Sequence, residues 1–277
     1  TMPFVRPDNL PPVALATHQR AMGDLKRVLT GQGMDEAVLW SFTSSAIARH
    51  FGWDQSSQDD LLLENPISSD LDVMRPSLLP NLMLAAGRNN DRGFGDVALF
   101  EAGLRFFSTK PDGQQPTVAG VRMGLAHPRH WAGGSRPVDA FDVKEDALAA
   151  LAAYGAPVEN LMTDTREIPA WFHPGRSGTL GLGKNVLAVF GELHPRALRA
   201  VGIKVRMVGF ELFLDKVPPR KARKGMAKPL FQPSPFQPVK RDFAFVVDAD
   251  VSAERLLRAV KGADKALISD VSLFDVY

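Results

Sequence analysis

After Pro11-Pro12, Leu15, His18, Met22, Leu25 and Leu29 recur on one stripe, which predicts a long helix over 13–30 closed by Gly31. The stripe is narrow, at a/d spacing, and suits either a core contact or a subunit interface. AVLWSF (37–42) reads as a strand with Val38, Trp40 and Phe42 on one face, and TSSAIARHF as a short helix capped by Thr43 or Ser44 and ended by Gly52. Prolines in ISSDLDVMRPSLLPNLMLAAGRNN open a second helix carrying Leu78, Leu79, Leu82, Met83 and Ala86. Alternation then takes over. VALFEAGLRFF sets Ala98, Phe100, Ala102, Leu104 and Phe106 against Val97, Leu99, Glu101, Gly103 and Arg105, while TVAGVRMGLA points Ala119, Val121, Met123 and Leu125 inward. VDAFDVKEDALAALAAYG is an amphipathic helix; WFHPGRSGTLGLG, NVLAVFGELHP and MVGFELFLDKV are strands, with PRALRAVGI a short helix before the last. Hairpin links outnumber crossovers, so the sheet is expected to be mainly antiparallel with helices against it: an α+β domain.

A different composition follows. Residues 216–240 hold seven Lys/Arg, six prolines and no acidic residue, the signature of an extended basic linker that could equally be a plain spacer or touch RNA phosphates. Beyond it, RDFAFVVD reads as a strand with Phe243, Phe245 and Val247 on one face. SAERLLRAVKGAD is a helix with Ser252 as N-cap, Leu256, Leu257 and Val260 inward and Gly262 as the stop, and LISDVSLFDVY is another strand. Such a β-α-β is half of a ferredoxin-like unit. With Thr1 as the first residue, this predicts a fragment of a longer protein.

Composition narrows the function classes. In 277 residues, 45% hydrophobic and 23% charged, no apolar run approaches the ~18 residues of a membrane span, and the first dozen residues have no apolar signal core, so the cytoplasm is the expected compartment. Cysteine is absent, which excludes disulfides, thiolate metal sites and cysteine nucleophiles. His127 and His130 in HPRHW, and His173 in WFHPGR, are the remaining metal candidates. Pro128 and Pro174 favour extended loop geometry, so loop hydrogen bonds are expected there before a metal. His194, before Pro195, is expected at a strand-to-helix turn. GLGKN (181–185) lacks the first glycine and the Ser/Thr of a phosphate loop and reads as a hairpin turn. No G-x-S-x-G, H-E-x-x-H or G-x-G-x-x-G occurs, so residue chemistry reveals no complete active site.

Taken in order, NPISSDLDVMRPSLLPNLM (65–83), FEAGLRFF (100–107), WFHPGRSGTLGLGKNVLAVFGELHPRAL (171–198) and QPVKRDFAFVVD (237–248) closely resemble the β subunit of bacterial phenylalanine–tRNA ligase. The resemblance runs from about residue 8 to the end. It implies three parts: a catalytic-like class II synthetase domain over 1–216, an antiparallel sheet flanked by helices; a basic Pro-rich linker over 217–238; and the first half of a ferredoxin-fold anticodon-binding domain over 239–277.

The resemblance also implies a non-catalytic role. FEAGLRF carries Glu101 and Arg105 without the F-R-x-E arrangement of an ATP-binding strand. GFELFLDKV leads into Pro218-Pro219 instead of an Arg-bearing helix, so the guanidiniums that stabilise a triphosphate are missing. No catalytic or metal residue carries over. The implied partners are the α subunit, which activates phenylalanine with ATP and Mg²⁺, and tRNA(Phe), in an (αβ)₂ assembly with neither membrane nor DNA. Leu15, Met22, Leu25 and Leu29 are the implied contacts with α; Lys240, Arg241, Phe243 and Phe245 are the candidates for tRNA. A stand-alone RNA-binding or regulatory relative is the alternative.

Overall fold

The computed structural model describes residues 15–54, 59–219, 230, 233 and 235–277. Contacts divide the chain into two units, 1–220 and 221–277. In the first, seven strands form one sheet in the order β1-β4-β5-β9-β8-β7-β6: β1 Asp35–Glu36, β4 Val97–Phe106, β5 Gln114–Met123, β6 Met162–Asp164, β7 Phe172–Leu182, β8 Asn185–Leu193 and β9 Met207–Phe213. Only β1 runs parallel to its neighbour. A short pair, β2 Phe42–Thr43 and β3 Val73–Met74, stands beside it. The mainly antiparallel sheet expected from hairpin-linked alternation is therefore present.

Helices cover both faces. On one, α1 Thr17–Gly31 and α4 Ala140–Tyr154 bury Leu25, Leu29, Val143, Ala147 and Leu151 against Phe100, Val118, Phe190, Phe210 and Leu212. On the other, α3 Leu79–Asp91 and α5 Pro195–Ala200 bury Leu79, Leu82, Met83 and Leu198 against Ala119, Val121, Val189 and Phe213. A central strand covered twice has no solvent face. That corrects the one-sided pattern expected for TVAGVRMGLA: Thr117 through Val121 are all buried, and Leu125 lies past the strand end. Arg122, on β5, ties the layers together by donating to Asp146 of α4 (2.6 and 2.9 Å) and to the Gln32 carbonyl after α1 (2.7 Å).

Two local readings differ from expectation, while the short helix after them is as expected. The first helix continues through Gly31, and the reversal falls at Gly33, whose φ of +78° a side chain would oppose. AVLWSF forms a ladder only at its last position. Ala37 N–H reaches the Phe100 carbonyl (2.7 Å), Leu39 N–H reaches the Glu101 carboxylate (3.3 Å), and the Trp40 carbonyl accepts from Arg75 and Asn81. Side chains thus take the place of a neighbouring strand, and Val38 and Trp40 are exposed. The short helix α2 Ser45–Ala48 follows its cap residue Ser44 and runs into a 3₁₀ turn ended at Gly52.

In the second unit, α6 Ala253–Ala263 begins with Ser252 Oγ accepting the Arg255 N–H (3.3 Å). It passes through Gly262 without stopping there. Leu256, Leu257 and Val260 are half-buried. Neither RDFAFVVD nor LISDVSLFDVY forms a ladder. In a split βαβ arrangement a third strand separates the two, so they are not each other's partners. Most of the basic linker lies outside the described residues.

Candidate functional site

The sheet face under the start of α3 carries one cluster of buried charge in the first unit. Alternation along β4 brings Glu101, Gly103 and Arg105 to that side, and β9 adds Glu211. The M-R-P-S turn before α3 drops Arg75 and Ser77 onto them. Arg75 Nη1 donates to both Glu101 oxygens (2.8 and 2.9 Å) and to the Trp40 carbonyl (3.2 Å), while its Nε donates to the Leu104 carbonyl (3.0 Å). Gly103 has no side chain because a Cβ there would collide with Arg75 Nη2. Ser77 Oγ donates to Glu211 (2.7 Å), as does the Leu78 N–H (3.3 Å). Arg105 lies over the Phe107 and Phe213 rings, 4.6 and 4.1 Å from their centroids, and donates to Gln115 (2.8 Å).

Electrostatics follow from this enclosure. Burial pushes the Glu101 carboxyl up while Arg75 pulls it back, and burial pushes Glu211 up against the opposing pull of Arg105. An acid whose folded pKa is raised binds more protons folded than unfolded, so its contribution is fully present below the unfolded carboxylate value and is lost as pH rises through the folded one. Thermal melts of Glu211→Gln are therefore expected to lose less stability than the parent between pH 5 and pH 8. Parallel curves for the two proteins would contradict this.

Chemically, the face is full. Arg75, Glu101 and Glu211 are buried and joined to one another, to Ser77 or to main chain, and the Arg105 guanidinium, whose Nε has no hydrogen-bond partner among the described residues, is laid over the Phe107 and Phe213 rings. Two open surface cavities lie elsewhere. One of about 540 Å³ is lined by His18, Met22, Pro116, Tyr154 and Asp215; one of about 210 Å³ lies between Asn90, Gly124, Pro137 and Arg206.

The sequence-predicted positions scatter. Leu25 and Leu29 are wholly enclosed by this chain's own core, which removes them as contacts for another subunit; Met22 is half-buried at the 540 Å³ groove and Leu15 is 52% exposed. In the second unit Phe243 and Phe245 are 70% and 52% exposed, with rings stacked at 6.3 Å, and Lys240 and Arg241 are exposed beside them. The histidines serve the backbone: His130 in its loop, His173 on β7 instead of the expected loop, and His194 at the cap of α5 each accept, through Nδ1, the N–H two residues ahead (3.2, 3.1 and 3.1 Å). His173 and His194 stack at 6.2 Å, and no group of metal-binding side chains forms among the described residues. Sequence reasoning missed Arg75, Ser77 and Glu211 as a set. The available signal was a lone carboxylate inside the apolar run GFELFL, which needs a partner if the strand is central.

This architecture is that of a class II aminoacyl-tRNA synthetase core. Two structures of pyrrolysyl-tRNA synthetase from Desulfitobacterium hafniense match 70% of this chain and 65% and 66% of theirs, with TM-scores of 0.50 and 0.51 at 17% and 15% identity, a likeness of fold alone. Residues 5–214 match the family model described as "Phenylalanyl tRNA synthetase beta chain CLM domain", and 234–277 match the ferredoxin-fold anticodon binding domain. The chain belongs to the phenylalanyl-tRNA synthetase β-chain family. Phenylalanine–tRNA ligase β subunits from Rhodospirillum rubrum and Paramagnetospirillum magneticum are 53% and 49% identical to it over 98% and 99% of its length. The chain spans about a third of the length of these curated relatives (33% and 34%).

Proposed function

We propose that this chain is a non-catalytic part of a phenylalanine–tRNA ligase β subunit, a scaffold for the α subunit that activates phenylalanine and charges tRNA(Phe). The observation that carries this is the closed sheet face: the Arg75–Glu101 pair and the Ser77–Glu211 bond fill the place where a class II core would need an open, cationic cleft. ATP and Mg²⁺ then belong to the partner's chemistry, and the residues present on this face do not fit a triphosphate. The surface left for α on the first helix is its outward side, around Leu15, His18 and Met22. The exposed Phe243 and Phe245 with Lys240 and Arg241 support a tRNA contact in the second unit. No described helix is long and apolar enough to cross a membrane, which fits a cytoplasmic (αβ)₂ enzyme.

Phenylalanine-dependent ATP–pyrophosphate exchange tests the catalytic part. The purified chain is expected to be silent and to co-elute with the α subunit from the same source. Exchange by the chain alone would overturn the closed-face reading, and failure to co-elute would overturn the scaffold.

A further inference from the structure

The HPRHW segment is used by neither unit's core nor the proposed scaffold, yet its backbone is held in place. Residues 124–138 form a hairpin projecting from the end of β5. Ala126 N–H donates to the Arg136 carbonyl (2.9 Å) and Val138 N–H to the Gly124 carbonyl (3.0 Å), with Leu125 bridged to Pro137. Gly124 (φ +84°) turns the chain over Asp96, whose carboxylate accepts the Leu125 N–H (2.8 Å). On the outgoing leg, Arg136 is gripped by Asp142 of α4 (2.6 and 2.8 Å). The tip is closed by a bridge between His130 and Gly133 and by His130 Nδ1, which accepts the Ala132 N–H (3.2 Å).

What this hairpin presents is an indole. Trp131 is 99% exposed at the tip, with Gly133 and Gly134 leaving its surroundings open. Two more exposed rings are sequence neighbours of the hairpin's anchors: Phe94, two residues before Asp96, and Phe141, one before Asp142. Leu125 to Val138 contains His127, Arg129, His130 and Arg136 and no acidic residue, and Arg129 makes no ion pair among the described residues. An exposed indole two residues from a guanidinium without an ion pair among the described residues, on a hairpin whose backbone is pinned, is a ready contact for a partner with a flat face and a negative charge. A single flat ring with a neighbouring cation matches a polyanion that carries its own flat faces. Unpaired bases stack on such rings while Arg meets the phosphates. A protein partner would instead need a cleft for Trp131 to enter or offer one itself, and the tip is convex and small-residued.

We propose that this hairpin is an RNA contact: Trp131 stacks on an unpaired base and Arg129 neutralises an adjacent phosphate. The choice of tRNA(Phe) as one probe rests on the ligase reading; the chemistry does not. The test measures anisotropy of two labelled probes, a tRNA(Phe) transcript and a twelve-nucleotide oligouridine, with the full chain. Trp131→Ala is expected to weaken binding of at least one probe roughly tenfold or more, and Trp131→Phe to keep most of it. Arg129→Gln should flatten the salt dependence by about one phosphate contact. Because the ring packs on nothing, melts of these variants should match the parent. Three results overturn the proposal: no binding by the parent, binding untouched by Trp131→Ala while Phe243→Ala or Phe245→Ala removes it, or loss of α co-elution in Trp131→Ala with RNA binding intact. If α fails to co-elute with the parent but the Trp131 effect persists, the scaffold reading falls and the RNA contact stands.

Discussion

The chain carrying Leu25→Asp together with Leu29→Asp is expected to show no cooperative melt for its first unit. Both leucines face α4 and the sheet with no solvent contact, in one cluster with Val143, Leu151, Phe100 and Phe210. Truncating a buried leucine costs about 2–5 kcal/mol, and an unpaired carboxylate in its place costs more. Two such changes together reach the roughly 5–15 kcal/mol that holds a domain folded. Circular dichroism with a thermal ramp is the measurement; a two-state transition near the parent's would mean the stripe is not core. The companion pair Leu15→Asp and His18→Asp separates folding from assembly, since both side chains are exposed. That pair should melt like the parent and lose only its hold on the α subunit.

Why half of that stripe turned inward was not visible in its spacing. An a/d seam specifies that a helix packs, and the identity of its neighbour depends on α4, more than a hundred residues later. Elsewhere spacing sufficed. The second helix buries Leu78, Leu79, Leu82, Met83 and Ala86 as its periodicity demands, GLGKN is a hairpin turn, and β4 packs Ala98, Phe100 and Ala102 together as written, although Leu104 is exposed and Phe106 joins a separate cluster with Trp53 and Leu61. The failures share one cause. AVLWSF was expected to pair with main chain throughout, and at its middle the Leu39 N–H and the Trp40 carbonyl are met instead by the side chains of Glu101, Arg75 and Asn81. RDFAFVVD has strand composition and no adjacent strand, and composition cannot supply a ladder. The site shows the same limit. M-R-P-S and F-E-A-G were legible as two blocks of a family pattern, but the ion pair between them, and the bond from Ser77 to Glu211 across 134 positions, exist only in three dimensions.

That ion pair carries the second large prediction. Arg75→Ala should lower the melting temperature by about 6–20 °C, because removing one partner of a buried pair costs about 3–5 kcal/mol and each kcal/mol shifts a domain of this size by roughly 2–4 °C. The loss has three sources. Glu101 keeps only the Leu39 N–H, the Leu104 carbonyl loses its Nε donor, and the Trp40 carbonyl keeps only the Asn81 amide. Lysine cannot substitute well: one ammonium replaces a planar fork that meets Glu101, Trp40 and Leu104 together, so Arg75→Lys should fall between parent and alanine. The deciding variant is Arg75→Met with Glu101→Met, which removes both charges and fills similar volume. Recovery of most of the lost stability would locate the penalty in the stranded carboxylate, and the variant removes the pair's charges from this face without introducing any phosphate-binding cation. The double variant should therefore remain silent in ATP–pyrophosphate exchange while folded, which separates the two things the pair does: it holds the M-R-P-S turn on the sheet, and it occupies ground a nucleotide would need. If the double variant melts as low as Arg75→Ala, the guanidinium matters for the carbonyls of Trp40 and Leu104 more than for the charge, and the closed face owes its stability to the 37–41 crossing over it.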